Sequence, residues 1–553
     1  MIQESTTRSL WSRARLTVLM FVLGLTALCV LSLSACAEKA ESGEVSSEAS
    51  PVATESATQS STRTSIESDA QVMDAYDWSF SDRDLDPSYD AASATVIELA
   101  DGEVSIEGTG ASTSGSIVTI NEEGCYILSG SLNDGSIVVD LADENAKAQL
   151  VLDGVDISCS NGAAILVENA DKVFITLAEG ANNTLSDSGA HELGSDGNDH
   201  DGVVFSHDDL TLQGTGSLTV NASYDNGIVG KNDVRITGGS YTISAAGHGI
   251  QGKDCVKILD GDFSITSGAD GIQASNDEDE TLGYLGIGGG SYVIDAGDDA
   301  FHADSALLIA DGTIDIIASY EGFEGKSVSL TGATTSVYAD DDGVNAASGD
   351  ELVDNQGFMV PGGAQGTQAA PGSSATESEC FIEITGGTHL IRAGGDCLDS
   401  NGTISISGGQ TIAECFASGG NSALDCEGGS QISGGTFLSV GPSDMAQSFS
   451  VESSQASVFL NASSTNLAAE LLSVVDAQGN EVCSFTPSIT GRSFLFSSPD
   501  LVEGESYTVM SGSQEVGSTT AELSSQAGFG GMQGGAPGIG GGEPQGSAPG
   551  APR

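Results

Sequence analysis

Three short stretches of this chain concentrate carboxylates: "AGDDAFHADSALLI" from Ala296, "ADDDGVNAA" from Ala339, and "GGDCLDSNGTISI" from Gly394. Their local sets are Asp298/Asp299/Asp304, Asp341/Asp342/Asn345 and Asp396/Asp399/Asn401. Carboxylate and amide oxygens converging at such spacing suit Ca²⁺, which takes six to eight oxygen ligands at ~2.3–2.6 Å. The competing account is a series of solvated acidic turns. Neither these sets nor the "NDEDE" run at Asn276 follows the EF-hand loop pattern.

The elements that would position these acids follow from a repeat. Taking Ile228, Ile250, Phe301, Leu398 and Leu424 as origins, an isoleucine follows eight residues later in every case. A glycine follows after eleven: Gly239, Gly261, Gly312, Gly409 and Gly435. Ile272 and Val344 fit once loops of 7 and 32 residues are inserted, which moves their glycines to Gly290 and Gly387; Phe323 fits with one residue deleted. The unit is about 22 residues of short alternating strands, and alternation of period two signifies strand. One unit cannot bury its apolar face alone, whereas a stack of them makes a continuous core. The expected fold is therefore all-β: a right-handed parallel β-helix with coils ~4.8 Å apart, followed by a small C-terminal antiparallel β module with "QGN" as a turn.

Registering the coils turns the acids into rows. Two positions before the origins stand Asn226, His248, Asp270, Asp299, Glu321, Asp342, Asp396 and Ser422. One position after stand Val229, Gln251, Gln273, His302, Glu324, Asn345, Asp399 and Asp425, and three after come Lys231, Lys253, Asp304 and Lys326 among others. Like charges ~5 Å apart repel by roughly 1 kcal/mol in water and ~3 at an effective dielectric of 20. Such a row demands full solvation, protonation or cations. The metal candidates are thus Asp270, Asp298, Asp299, Asp304, Asp341, Asp342, Asn345, Asp396 and Asp399. Lys231, Lys253 and Lys326, with Glu321 and Glu324 beside them, are carbohydrate-contact candidates; the plainer role for the lysines is charge relief by pairing with those two glutamates. His248 and His302 read as hydrogen-bonding turn residues, Tyr241 and Tyr292 as core, and Tyr224, Tyr320 and Tyr338 as rings free to stack on sugars.

Composition bounds the partners. Acids outnumber bases 79 to 16, for a formal charge of −63, which argues against nucleic acid or anionic lipid as an electrostatic partner. The N-terminus carries Arg8, Arg13 and Arg15, an apolar run and "LSAC" ending at Cys36, the pattern of a secretion signal. The expected organisation is a signal at 1–35, a polar tether at 36–75, the β-helix domain at 76–445 with a mobile insertion at 348–379, the β module at 446–522, and a Gly/Pro-rich tail at 523–553. Eight cysteines, from Cys125 to Cys483, remain after Cys29 and Cys36 are set aside, with no metal-type spacing and no readable pairing.

The LSAC ending resembles a bacterial lipobox, which would make Cys36 the lipid-modified first residue of an extracellular, membrane-anchored protein. "YEGFEGKSVSLTG", "HGIQGKDCVKILDG", "DDAFHADSALLI", "DDGVNAA" and "AQLVLDGVDIS" resemble the bacterial lipoprotein family of carbohydrate-binding domain-containing proteins. That resemblance implies a parallel β-helix similar to pectate lyases, bound calcium, and affinity for plant cell-wall polysaccharides such as polygalacturonate or cellulose. The favoured reading is a cell-surface, monomeric polysaccharide binder, attached to the membrane only through its lipid. A calcium-dependent lyase stays open as an alternative, as does a structural surface protein or adhesin. Elimination needs a base, commonly Lys or Arg, and the sequence singles none out; no catalytic residue is assigned.

Overall fold

Alternation of buried and exposed residues along each short strand becomes, in the computed structural model, a parallel β-solenoid of about 11 turns with a small antiparallel sheet. The structure describes residues 64–523 except 67–74, 190, 192, 194–196, 198, 277, 348–379, 417–419, 451–452 and 462–466. No helix occurs among the described residues. The signal, Cys36, the insertion and nearly all of the tail lie outside them.

Each coil contributes a strand to three parallel faces. On the first face Ile228, Ile250, Ile272, Phe301, Phe323 and Val344 stand in register. The second face stacks Ile236, Ile258, Ile287, Ile309, Leu330, Ile384, Ile406 and Ile432. The third stacks the rings of Tyr241, Phe263 and Tyr292 nearly parallel, with centroids 5.0 and 4.8 Å apart. The single-residue deletion expected at Phe323 is present as a register shift between Ala303 and Ala306.

All seven repeat glycines, Gly239, Gly261, Gly290, Gly312, Gly387, Gly409 and Gly435, have φ between 73° and 150°. A side chain there would strain the backbone, so glycine recurs where the second face turns into the third, except in the shortened Phe323 coil, where Ala333 holds the position. In the ring column His389 takes the place of a tyrosine. Its Nε2–H donates to the Gly386 carbonyl at 2.9 Å, as the Tyr241 and Tyr292 hydroxyls donate to Gly238 and Gly289.

Both ends of the stack are covered. At the start, Thr95–Leu99 pairs antiparallel with Ser105–Glu107, and Ala111–Ser114 with Ile117–Ile120. At the finish, the last coil strand, Thr436–Gly441, takes Ser493–Ser497 as an antiparallel neighbour, which in turn pairs with Ser457–Asn461. The expected C-terminal module is therefore two things. Part of it closes the solenoid, and the rest is a four-stranded antiparallel sheet of Leu472–Val475, Glu481–Phe485, Ser506–Ser511 and Gln514–Thr520. The "QGN" turn joins the first two of these strands, with the Asp476 carboxylate accepting from the N–H groups of Gln478 and Asn480.

The N-terminal approach differs from the expected tether. Ser65 bridges to Ser79, and Ile66, Trp78 and Phe80 form a buried cluster with Tyr284, Ala306 and Leu308 on the second face. Trp78 is packed against the solenoid wall. The eight described cysteines are thiols; none is joined in a disulfide.

Candidate functional site

The turn leading from the third face to the first brings the acid column together as a ladder. Asn226 Oδ1 accepts the His248 N–H at 2.7 Å, and His248 Nδ1 accepts the Asp270 N–H at 3.2 Å. Asp270 Oδ1 accepts from Asp299 at 3.0 Å, Asp299 Oδ1 from Glu321 at 3.2 Å, Asp342 Oδ1 from Asp396 at 2.6 Å, and Asp396 Oδ1 from Ser422. One oxygen of Asp270, Asp299, Asp342 and Asp396 thus satisfies the backbone of the next coil and the other remains for further chemistry, whereas Glu321 Oε1 accepts from the Asn345 amide and Ser422 bonds within its own turn. Backbone groups buried in a turn must find partners, which explains why this column admits only Asp, Asn, Glu, His and Ser.

The central coils hold the densest charge. Asp270, Asp299, Glu321, Glu324 and His302 are all buried. His302 is the hub: Nδ1 lies 3.2 Å from Asp299 Oδ2 and against Glu324 Oε2, and Nε2 lies 3.1 Å from Asp304 Oδ1. Burial opposes its protonation, but these carboxylates outweigh burial and raise its pKa. Burial pushes Asp299 up to about 9 and Glu321 up to about 10, with neighbouring acids adding to both. Glu324 falls to about 2, because the hydrogen bonds from His302 and Asp299 outweigh its burial. Further along, burial and then Asp399 raise Asp342 to about 8; burial and the nearby Asp399 and Asp425 raise Asp396 to about 7.

The expected sets regroup. Asp304 does not join Asp298 and Asp299; it lies beyond His302, held by the Ser275 hydroxyl at 2.9 Å and the Asn276 N–H at 2.7 Å. The register shift after Ala303 turns it away. Asp270 replaces it: one carboxylate oxygen each from Asp270, Asp298 and Asp299 lies within 4.8 Å of the others, and Asp298 is exposed. Three hard oxygen donors with an open side fit a calcium ion. Around Asp341 and Asp342 the Asn345 amide turns its nitrogen to Glu321 Oε1 at 3.1 Å, while Glu321 Oε2 is buried with no hydrogen-bond partner. Asp399 stands in register between Asn345 and Asp425.

Two of the lysines pair away from Glu321 and Glu324, which the plainer reading assigned them. Lys231 pairs with Asp201 at 3.6 Å and lies over the Phe205 ring, and Lys253 pairs with Glu278 at 2.6 Å. Glu324 is balanced by His302. Lys326 is half-buried in the strand that follows Asp304's coil.

An aromatic shelf adjoins the acids. Tyr320 (43% exposed) occupies the turn column between Asp298 and Asp341, its N–H donating to the Asp298 carbonyl at 2.8 Å. Its hydroxyl hydrogen-bonds the Asp341 carboxylate, which with burial raises the phenol pKa. Tyr338 (45%) and Phe416 (39%) stack on each other at 5.3 Å where third-face strands run into later turns of the column. Tyr224, by contrast, stacks on His191. Phe416 was not singled out from the sequence, although its parity after Ala413 and Cys415 places an apolar ring outward.

Residues 114–349 match the model of the family described as carbohydrate-binding domain-containing protein. A protein of that description from Acetivibrio thermocellus is 44% identical over 137 residues, 25% of this chain and 48% of its own length. The chain thus spans about half of that curated relative. A solved structure of a polysaccharide lyase-like protein from C. thermocellum, a gadolinium derivative, is 37% identical with a TM-score of 0.38, covering 44% of this chain and 91% of that one.

Proposed function

We propose that the acidic, aromatic edge of the solenoid binds polysaccharide. The observation that carries this reading is the exposed triplet Tyr320, Tyr338 and Phe416 beside stacked carboxylates. A ring offers an apolar face, and tyrosine adds a polar tip, which matches the mixed apolar and hydroxylated faces of a sugar. Calcium on Asp270, Asp298 and Asp299 would supply positive charge to an otherwise repulsive surface, and its unfilled positions would suit uronate carboxylates. The match of 114–349 to a carbohydrate-binding family supports the same conclusion. Plant cell-wall polymers such as polygalacturonate or cellulose are the proposed ligands, met by a chain anchored at the cell surface through a lipid on Cys36. Binding is favoured over lyase chemistry because Lys231 and Lys253, the described lysines of that edge with identified partners, are engaged in ion pairs rather than poised as bases.

The test is a binding panel of polygalacturonate, pectin, cellulose and xylan, run in calcium and in chelator. Tyr320→Ala/Tyr338→Ala/Phe416→Ala should weaken binding at least about 10-fold, taking ~0.5–1.5 kcal/mol for each lost stacking contact as the scale, with an unchanged melt. Retention of affinity by the triple variant, or no binding to any polymer, would remove the reading.

A further inference from the structure

Away from the acid edge, two imidazoles and a carboxylate meet where His200 lies against an early coil. Glu168 and His207 sit side by side on adjacent coils, since Ser206 registers with Val167 and the His207 N–H donates to the Val167 carbonyl at 3.0 Å. His200 arrives from the segment between the third and first faces. Its ring stacks on buried Phe205 at 4.8 Å, and His207 meets the same ring edge-on at 5.1 Å. This packing points the two Nε2 atoms at each other, 3.3 Å apart, with Glu168 Oε2 3.9 Å from His207 Nε2.

We propose that His200, His207 and Glu168 bind a divalent late transition metal ion, of which zinc is the representative. Two imidazole nitrogens ~2.0–2.1 Å from a tetrahedral zinc must stand about 3.3 Å apart, the separation observed here. Two nitrogens and one carboxylate oxygen suit zinc and its neighbours better than calcium, which takes oxygen. Glu168 and His207 are half-buried, so the site is not sealed inside the core. Second-sphere support is in place. His191 is buried, with Nδ1 on the His200 carbonyl and Nε2 3.2 Å from Asp187 Oδ2, which fixes the backbone that carries His200. The surrounding charge favours a cation: Asp208 flanks His207, and the nearby Lys231 is paired with Asp201. The ion would tie His200 to the two coils that carry Glu168 and His207.

The competing account is a hydrogen bond between two neutral imidazoles with no metal. The experiment uses the full chain, stripped with chelator and titrated with zinc against a chromophoric competitor in millimolar calcium, which occupies oxygen-only sites. One tight equivalent is expected, and cobalt in its place should give the visible bands of a tetrahedral nitrogen-ligated ion. His200→Ala and His207→Ala should each weaken zinc by about 100-fold or more, since even outer-sphere changes cost ~10–100-fold. Glu168→Gln, which keeps both rings, should weaken it less, and Asp299→Asn not at all. Melts in chelator establish that each variant folds; if a histidine variant does not, Glu168→Gln and the cobalt spectrum decide. No calcium-resistant zinc uptake, or unchanged uptake in His207→Ala or in Glu168→Gln, overturns the proposal.

Discussion

Asp342 performs two tasks with one carboxylate: Oδ1 caps the Asp396 N–H, and the charge faces Asp399 and Asp341. Replacing it with Asn keeps the cap and removes the charge. Its folded pKa of about 8 lies above the ordinary 3.8, so without metal the folded state holds a proton that the unfolded state has released. That contribution is complete below about pH 4 and is lost as pH rises toward 8. In chelator the wild type should therefore lose stability over that window. Asp342→Asn should recover about 2 kcal/mol at pH 8, after discounting for solvent screening. Calcium at pH 8 should stabilise wild type more than the variant, because ions that bind only the folded state add RT ln(1 + [L]/Kd). Melts at fixed ionic strength check this; a wild-type melt independent of pH and calcium would mean the row is merely solvated. Column membership at this scale was legible, because period-two strands and a fixed coil length place residues by counting. The His302 hub was not: its partners come from both sides of its own coil and from the next, and the bulge that swings Asp304 across it is a backbone event that spacing does not encode.

The N-terminal strap shows how an element can lie beyond sequence reading. Residues 76–93 carry few apolar residues and no repeat, yet Asp84 is buried against Lys172 Nζ at 2.6 Å and the Thr211 hydroxyl at 2.7 Å. Lys257, fully buried, donates to the carbonyls of Asp77 and Ser79 at 2.9 Å each. The matching signal was in the solenoid. Lys172, Thr211 and Lys257 point outward by parity, and a polar outward residue looks solvated until something is known to cover it. Gly286 completes the fit, since a Cβ there would stand 2.6 Å from Trp78 Cζ3. Asp84→Ala should destabilise by about 3–5 kcal/mol, because it leaves the Lys172 charge buried without its partner. Gly286→Val should instead lift the strap alone. Limited proteolysis reads the difference: rapid cleavage near Trp78 with a persistent solenoid core is expected for Gly286→Val. Equal resistance to wild type would show that the strap does not depend on that contact.

At the scale of the molecule, a parallel solenoid has an intrinsic hazard: each end presents a row of unpaired N–H and C=O groups that can pair with another chain. This was the least legible part of the fold. The coils announce themselves by repetition, whereas a cap occurs once and has no period, so the C-terminal strands read as a separate module. The structure ties them to the last coil. Thr436–Gly441 pairs with Ser493–Ser497, and Leu438 and Val440 share a buried cluster with Val458, Phe494 and Phe496. Removing everything after Gly441 would uncover both the strand edge and that apolar surface, whereas the start of the stack keeps its antiparallel hairpins. The full chain should accordingly run as a monomer by light scattering, and the chain ending at Gly441 should associate end to end into dimers or larger species. Adding Lys residues at Leu438 and Val440 in the truncated chain should reduce that association, since charge on an exposed edge discourages pairing. A truncated chain that stays monomeric and melts like the full one would show that the last coil needs no cover. A full chain that is already dimeric would place an interface elsewhere on the solenoid.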